Sequence, residues 1–178
     1  MYLKDVARFG YFTGWRLNEV LSLEWQDIDR EHGEIRLRPE RSKNGHGRIV
    51  PLVGDLADLI ERRWEARKVG DRIVNSVFHR KGAAVRDIRR AWRSAVKAAG
   101  LKGRLFHDLR RTAARNLIRS GTSETVAMAI TGHRTRSMFS RYNISTTADL
   151  RDALRRYQAH DAAIPVEAKV VALAGRRR

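Results

Sequence analysis

Arg16, Lys43, His107, Arg110, His133 and Tyr142 are the side chains of this chain that could act together on one substrate. Two arginines, a lysine, two histidines and a phenol lack the carboxylates and thiolates of a metal site, so neither metal nor cofactor is expected. The same set suits a phosphodiester. Guanidinium forks match non-bridging phosphate oxygens, imidazoles move protons near neutral pH, and a phenol can be a covalent nucleophile. The two strongest pieces are His107-Asp108-Leu109-Arg110, and Gly132-His133 with Tyr142 nine positions further on.

Each residue alone also has an ordinary reading. His107 and Arg110, three apart, share a helical face and can address one phosphate; singly they are a core histidine and a surface arginine. Arg16 follows the Thr13-Gly14 break at a helix start, where backbone N–H groups favour anions, yet it also has Glu19 as an i,i+3 partner. Lys43 sits at a hairpin tip, where basic residues are usually just solvated, and His46 and Arg48 are neighbours that could be mistaken for it. His133, just past Gly132, reads as a helix cap but for its spacing to Tyr142. Tyr142 shares a face with Met138 and Phe139, as a core residue would, while Arg141 and Asn143 favour an exposed hydroxyl.

The elements that position these residues follow from periodicity. Residues 1–12 read as the end of a helix with Leu3, Val6, Ala7, Phe9 and Gly10 near the core, and Leu17, Val20 and Leu21 restart a helix after the break. Alternation over Ile35-Arg36-Leu37-Arg38, and a second strand over 48–52, predict a hairpin around Asn44-Gly45-His46-Gly47. Leu56, Leu59, Ile60 and Trp64 form a helical stripe. Val77-Phe78-His79 reads as a short strand and Lys81-Gly82 as a turn. A helix is expected over Val85–Ala99, ended by Gly100, and another over 107–120, ended by Gly121. Thr122 or Ser123 then caps a helix whose Val126, Ala127 and Ile130 face inward until Gly132. A last helix runs from about Ala148 to Ala159. The sum is an α+β fold, mainly helical, with a small antiparallel β-sheet.

Charge adds a partner class. The formal net charge is +17. Residues 1–30 are near neutral, but residues 79–119 hold thirteen Lys and Arg against only Asp87 and Asp108. A solvated face normally mixes both signs, so this stretch points to a polyanion such as a phosphate backbone. Arg80, Lys81, Arg86, Arg89, Arg90, Arg111 and Arg134 are the candidate nucleic-acid contacts. No stretch approaches the roughly 18–20 apolar residues of a membrane span, no signal-peptide order opens the chain, and there is no cysteine. A cytosolic protein, with no membrane partner, is expected.

The ordered set Arg16, Lys43, His107-x-x-Arg110, Gly132-His133 and Tyr142 resembles the tyrosine recombinase (phage integrase) family. The likeness runs from Thr13 to about Leu154 and includes the box Thr13-Gly14-Trp15-Arg16-Leu17-Asn18-Glu19-Val20-Leu21, the turn Ser42-Lys43-Asn44-Gly45 and the 23-residue step from Arg110 to His133. It implies a catalytic-domain fold and site-specific recombination of double-stranded DNA through a 3′-phosphotyrosyl intermediate. By that resemblance Tyr142 attacks, Arg16 and Arg110 hold the phosphate, Lys43 protonates the leaving 5′ oxygen, His107 accepts the tyrosine proton, His133 hydrogen-bonds the phosphate, and Glu19 supports Arg16. Neither metal nor nucleotide is needed, and a tetramer on DNA is implied. The family usually has Leu-Gly-His where this chain has Thr131-Gly132-His133, and a smaller or unbranched residue is common where Trp15 stands.

The expected organisation is a catalytic domain over 1–160 and a basic C-terminal tail over 161–178. The box opens so near the start that the first helix looks shortened and the family's N-terminal DNA-binding domain absent. Two other functions fit the same residues: strand transfer of the type IB topoisomerase kind, or a non-catalytic DNA-binding remnant.

Overall fold

The computed structural model describes residues 2–42, 45–140 and 146–163. The chain divides into two compact units, residues 1–144 and 145–178.

In the first unit, helix α1 (Tyr2–Thr13) buries Val6, Phe9 and Gly10 along one stripe, the 3.6-residue period of an amphipathic helix. Gly14 adopts φ +64°, a left-handed turn that favours glycine, and the chain restarts as α2 (Leu17–Leu21). A three-stranded antiparallel sheet follows, in the order β1 (Ile28–Asp29), β2 (Glu34–Leu37), β3 (Arg48–Pro51). Ile35 pairs with Val50 and Leu37 with Arg48. The β2–β3 pairing is the expected hairpin; β1 is an added edge that its two residues were too short to announce.

Helix α3 (Asp55–Glu65) lays Leu56, Leu59 and Ile60 into the core as its stripe required. Each fully buried aliphatic side chain is worth about 1.5–3 kcal/mol. Trp64 caps the stripe between the guanidinium groups of Arg30 and Arg67, 4.3 and 3.4 Å from its ring centroid. Two minimal hairpins follow: β4 (Lys68–Val69) with β5 (Arg72–Ile73), and β6 (His79–Arg80) with β7 (Ala83–Ala84).

The expected strand over 77–79 keeps only His79 in a ladder; Val77 and Phe78 are buried just before it. The helix expected from Val85 begins at Arg89 instead, as α4 (Arg89–Ala98). The reason is local: Val85 N–H donates to Phe78 O at 3.0 Å, and Asp87 Oδ1 accepts from Arg89 N–H at 2.8 Å. Residues 85–88 are therefore spent on the sheet and on a cap.

Helix α5 (Asp108–Arg119) buries Arg110, Ala113 and Ala114, and these alanines let it lie close to α1 and to α6 (Glu124–Thr131). Gly10 completes that closeness, since a Cβ there would sit 2.6 Å from the Phe106 ring. Ser123 is the N-cap of α6, its hydroxyl accepting from Val126 N–H at 3.4 Å. Ala127 is buried as expected, but Val126 is 50% exposed and corrects the inward stripe. Helix α7 (Arg136–Ser140) buries Phe139 while Met138 stays exposed. In the second unit, α8 (Thr147–Ala163) starts with reciprocal bonds between Thr146 and Asp149 and buries none of its described side chains. Among the described residues no helix is long and apolar enough to cross a membrane.

Candidate active site

Arg16 stands at the N-cap of α2 in extended conformation. Its backbone N–H, expected to favour an anion, is taken by Glu19: Oε2 accepts it at 3.0 Å, and Oε1 pairs with the Arg16 guanidinium at 3.1 Å. Glu19 is 1% exposed. Burial alone would raise its pKa, but the hydrogen bond and charge of Arg48, followed by the N–H and charge of Arg16, outweigh this and hold it below the ordinary carboxyl value.

Arg48 is the residue that motif reading passed over. It donates to Glu19 Oε2 at 2.5 Å and lies 4.4 Å from the Trp15 ring centroid. Burial pushes its pKa down, partly offset by Glu19. The indole beneath it is fixed by a 3.0 Å bond from Nε1 to Ile130 O, which gives the bulky Trp15 a task at this position. Gly132 is shaped around the same side chain, for a Cβ there would collide with the Arg48 guanidinium. A signal existed in the sequence: period-two alternation puts Arg48 on the inward face with buried Val50.

Arg110 is 3% exposed and works as a clamp. Its Nη1 donates to Gly14 O at 2.7 Å and to Thr131 O, and its Nη2 donates to Gly132 O at 3.1 Å. One guanidinium thus joins the turn before Arg16 to the segment that carries His133.

His107 precedes α5 and is exposed. Partial desolvation, then the Arg110 and Arg16 charges, lower its pKa below the ordinary histidine value, so the ring is neutral near pH 7. His133 is 6% exposed, with Nδ1 2.7 Å from Thr131 Oγ1 and its ring edge-on to Phe139 at 5.3 Å. Burial first, then Arg110, Arg16, His107 and Arg48, push its pKa down to about 3.

The structure therefore brings Arg16, Glu19, His107, Arg110 and His133 into one electrostatically coupled cluster, with Arg48 added. Lys43, in the β2–β3 connection, and Tyr142, two residues past α7, lie outside the described residues. Beside His133 opens a cleft of about 680 Å³ lined by Ser42, His46, Arg48, Met128 and Arg136 among others. Its cations and hydrogen-bond donors suit an anion with several oxygens. Among the described residues no group of three His, Cys, Asp or Glu is placed to hold a metal.

The candidate nucleic-acid contacts are all exposed. Arg80 ends β6 and Lys81 opens the β6–β7 turn, Arg86, Arg89 and Arg90 lie around the start of α4, Arg111 follows Arg110, and Arg134 follows His133. Arg89 pairs with Asp87 at 2.8 Å.

Residues 1–148 match the family model described as the phage integrase family. The chain is 30% identical over 151 residues to the integrase of Salmonella phage P22, covering 79% of this chain and 38% of that protein. It is 32% identical over 131 residues to the shufflon-specific DNA recombinase of Escherichia coli, covering 73% of this chain and 31% of the relative. In structure it resembles XerA recombinase with a TM-score of 0.67 at 22% identity, over 88% of this chain and 63% of the other. The chain thus spans about a third of the length of these two sequence relatives, and the structural likeness bears out the α+β, mainly helical fold.

Proposed function

The chain belongs to the phage integrase family, and from that membership we propose that it breaks and rejoins double-stranded DNA as the catalytic part of a site-specific tyrosine recombinase. The observation that carries this reading is the Arg110 clamp. A guanidinium tied to Gly14 O, Thr131 O and Gly132 O holds the Arg16 turn and His133 at one place, where a phosphate can meet both arginines.

The roles follow from the chemistry available. Tyr142 is the nucleophile: its phenolic oxygen bonds to the scissile phosphorus, the 5′ oxygen leaves, and a 3′-phosphotyrosyl link results. Arg16 and Arg110 face the non-bridging oxygens as charge builds in the pentavalent transition state. His107, neutral near pH 7, accepts the tyrosine proton, and Lys43 donates one to the departing oxygen. His133 hydrogen-bonds the phosphate, and Glu19 orients Arg16 and Arg48. Attack by another strand's 5′-hydroxyl reverses the step and reseals the backbone. Exposed Arg80, Lys81, Arg86, Arg89, Arg90, Arg111 and Arg134 meet phosphates outside the site. Assembly as a tetramer on DNA, in the bacterial cytoplasm or nucleoid, belongs to the same proposal.

A nicked duplex whose cleaved 5′ fragment diffuses away tests this. The wild-type chain forms a covalent complex that survives SDS, and Tyr142→Phe forms none. An adduct that persists in Tyr142→Phe would remove Tyr142 from the role, with Tyr157 the next candidate.

A further inference from the structure

Thr131 stands where the resemblance leads one to expect leucine, and it is fully buried with both of its polar groups engaged in the site. Its carbonyl accepts from Arg110. Its hydroxyl lies 2.7 Å from Ala127 O and 2.7 Å from His133 Nδ1. A hydroxyl has one hydrogen. An O···O approach of 2.7 Å to a carbonyl needs a hydrogen between the oxygens, and Ala127 O has none to give, so Thr131 donates there. The second short contact must then be bridged by a hydrogen on Nδ1.

We propose that Thr131 is a positioning residue that fixes His133 as its Nδ1–H tautomer and leaves the Nε2 lone pair as the ring's proton-accepting position. A leucine at this position can do neither task of the hydroxyl. The inference rests on the function proposed above only for its consequence in catalysis. A neutral ring with an unprotonated Nε2 accepts hydrogen bonds and cannot give one to a phosphate oxygen. To do so it takes a proton from solvent, and the charges facing it resist that in the free protein: Arg110 from α5, Arg16 from the turn before α2, Arg48 from β3, and His107 beside α5 when protonated. A phosphodiester anion offsets those charges, so the ring gains its proton as the substrate seats.

The test is the tautomer itself, read from long-range ¹H–¹⁵N correlations in chain labelled at histidine nitrogen, at neutral pH without DNA. His133→Gln assigns the signals. The wild-type ring shows a protonated Nδ1 and an imine-like Nε2. Thr131→Ser retains that pattern, and Thr131→Val, which keeps volume and carbonyl but lacks the hydroxyl, loses it. In the suicide-duplex assay Thr131→Val cleaves roughly 10- to 100-fold more slowly, at or below the smallest contribution of a proton-transfer group itself, as suits a residue that acts through one, and Thr131→Ser cleaves near the wild-type rate. A wild-type ring carrying its proton on Nε2, or a Thr131→Val spectrum identical to wild type, would overturn the inference. If the wild-type chain forms no adduct at all, the proposed function fails while the spectra still decide the tautomer.

Discussion

Arg48 and Arg110 beside His133 are enclosed, while the arginines at the start of α4 stand in solvent, and the same side chain behaves differently in the two regions. Arg110 is 3% exposed and gives three of its N–H groups to backbone carbonyls, and Arg48 is wedged between Trp15, Glu19 and Gly132. The Arg89 side chain is 81% exposed and makes a local pair with Asp87. Enclosure makes a charge costly unless it is matched, so the buried arginines are held in fixed geometry and shift the pKa values of Glu19 and both histidines. Exposure leaves the others screened by solvent and salt, good for long-range attraction and poor for orienting one phosphate. Under the proposed function, the first region shapes the reaction and the second gathers the polyanion.

The sharpest way to break this contrast is Arg110→Ala. It removes charge from the site and leaves buried carbonyls without their donor. Single-turnover DNA cleavage falls by about 10²–10³-fold, the scale of losing one transition-state donor, and stability falls by at least about 1–3 kcal/mol in urea unfolding. Next comes Arg48→Ala, which leaves the Glu19 carboxylate buried with only Arg16 against it. Breaking such a pair costs roughly 3–5 kcal/mol, read as a lower urea midpoint, while cleavage at saturating DNA falls less than in Arg110→Ala.

How far the sequence revealed this division depends on the range of each contact. The β2–β3 hairpin, the α3 stripe and the His107-x-x-Arg110 face were legible because each is set within a few residues. The start of α4 was misread because Val85 and Asp87 answer to Phe78 O and to a cap, which an apolar pattern does not encode. The Arg110 clamp was not visible at all: it joins carbonyls at Gly14 and Gly132, whose meeting needs the packing of α1, α5 and α6. Arg48 was half visible, since alternation turned it inward, but only Trp15 and Glu19 say why a cation belongs there.

A third prediction uses acid to probe the enclosed region. The folded-state pKa of His133 is about 3 against an ordinary 6.5, so its contribution to stability is full above about pH 6.5 and shrinks as pH falls toward 3. Glu19, also lowered, contributes fully above about pH 4.5 and is lost below it. Stability should therefore decline from pH 7 to pH 4, with the His133→Gln curve flatter between 6.5 and 4.5. Parallel curves for both proteins would contradict the buried, neutral ring.

The smallest effect on the fold is expected from Arg89→Ala with Arg90→Ala. Stability changes by no more than about 0.5 kcal/mol. DNA affinity drops, and the slope of log affinity against log salt shrinks by roughly one for each phosphate that is no longer neutralised. An unchanged slope would remove these two residues from the DNA surface.

The division of labour is tested most directly by the cleavage rate constant at saturating DNA, measured beside the Kd for Arg110→Ala and for the Arg89/Arg90 double variant. Arg110→Ala should lower the saturated rate by about 10²–10³-fold, and the double variant should bind more weakly while its saturated rate stays at the wild-type value. A double variant that remains slow when every molecule is bound, or an Arg110→Ala protein that cleaves at the wild-type rate once saturated, would contradict that division.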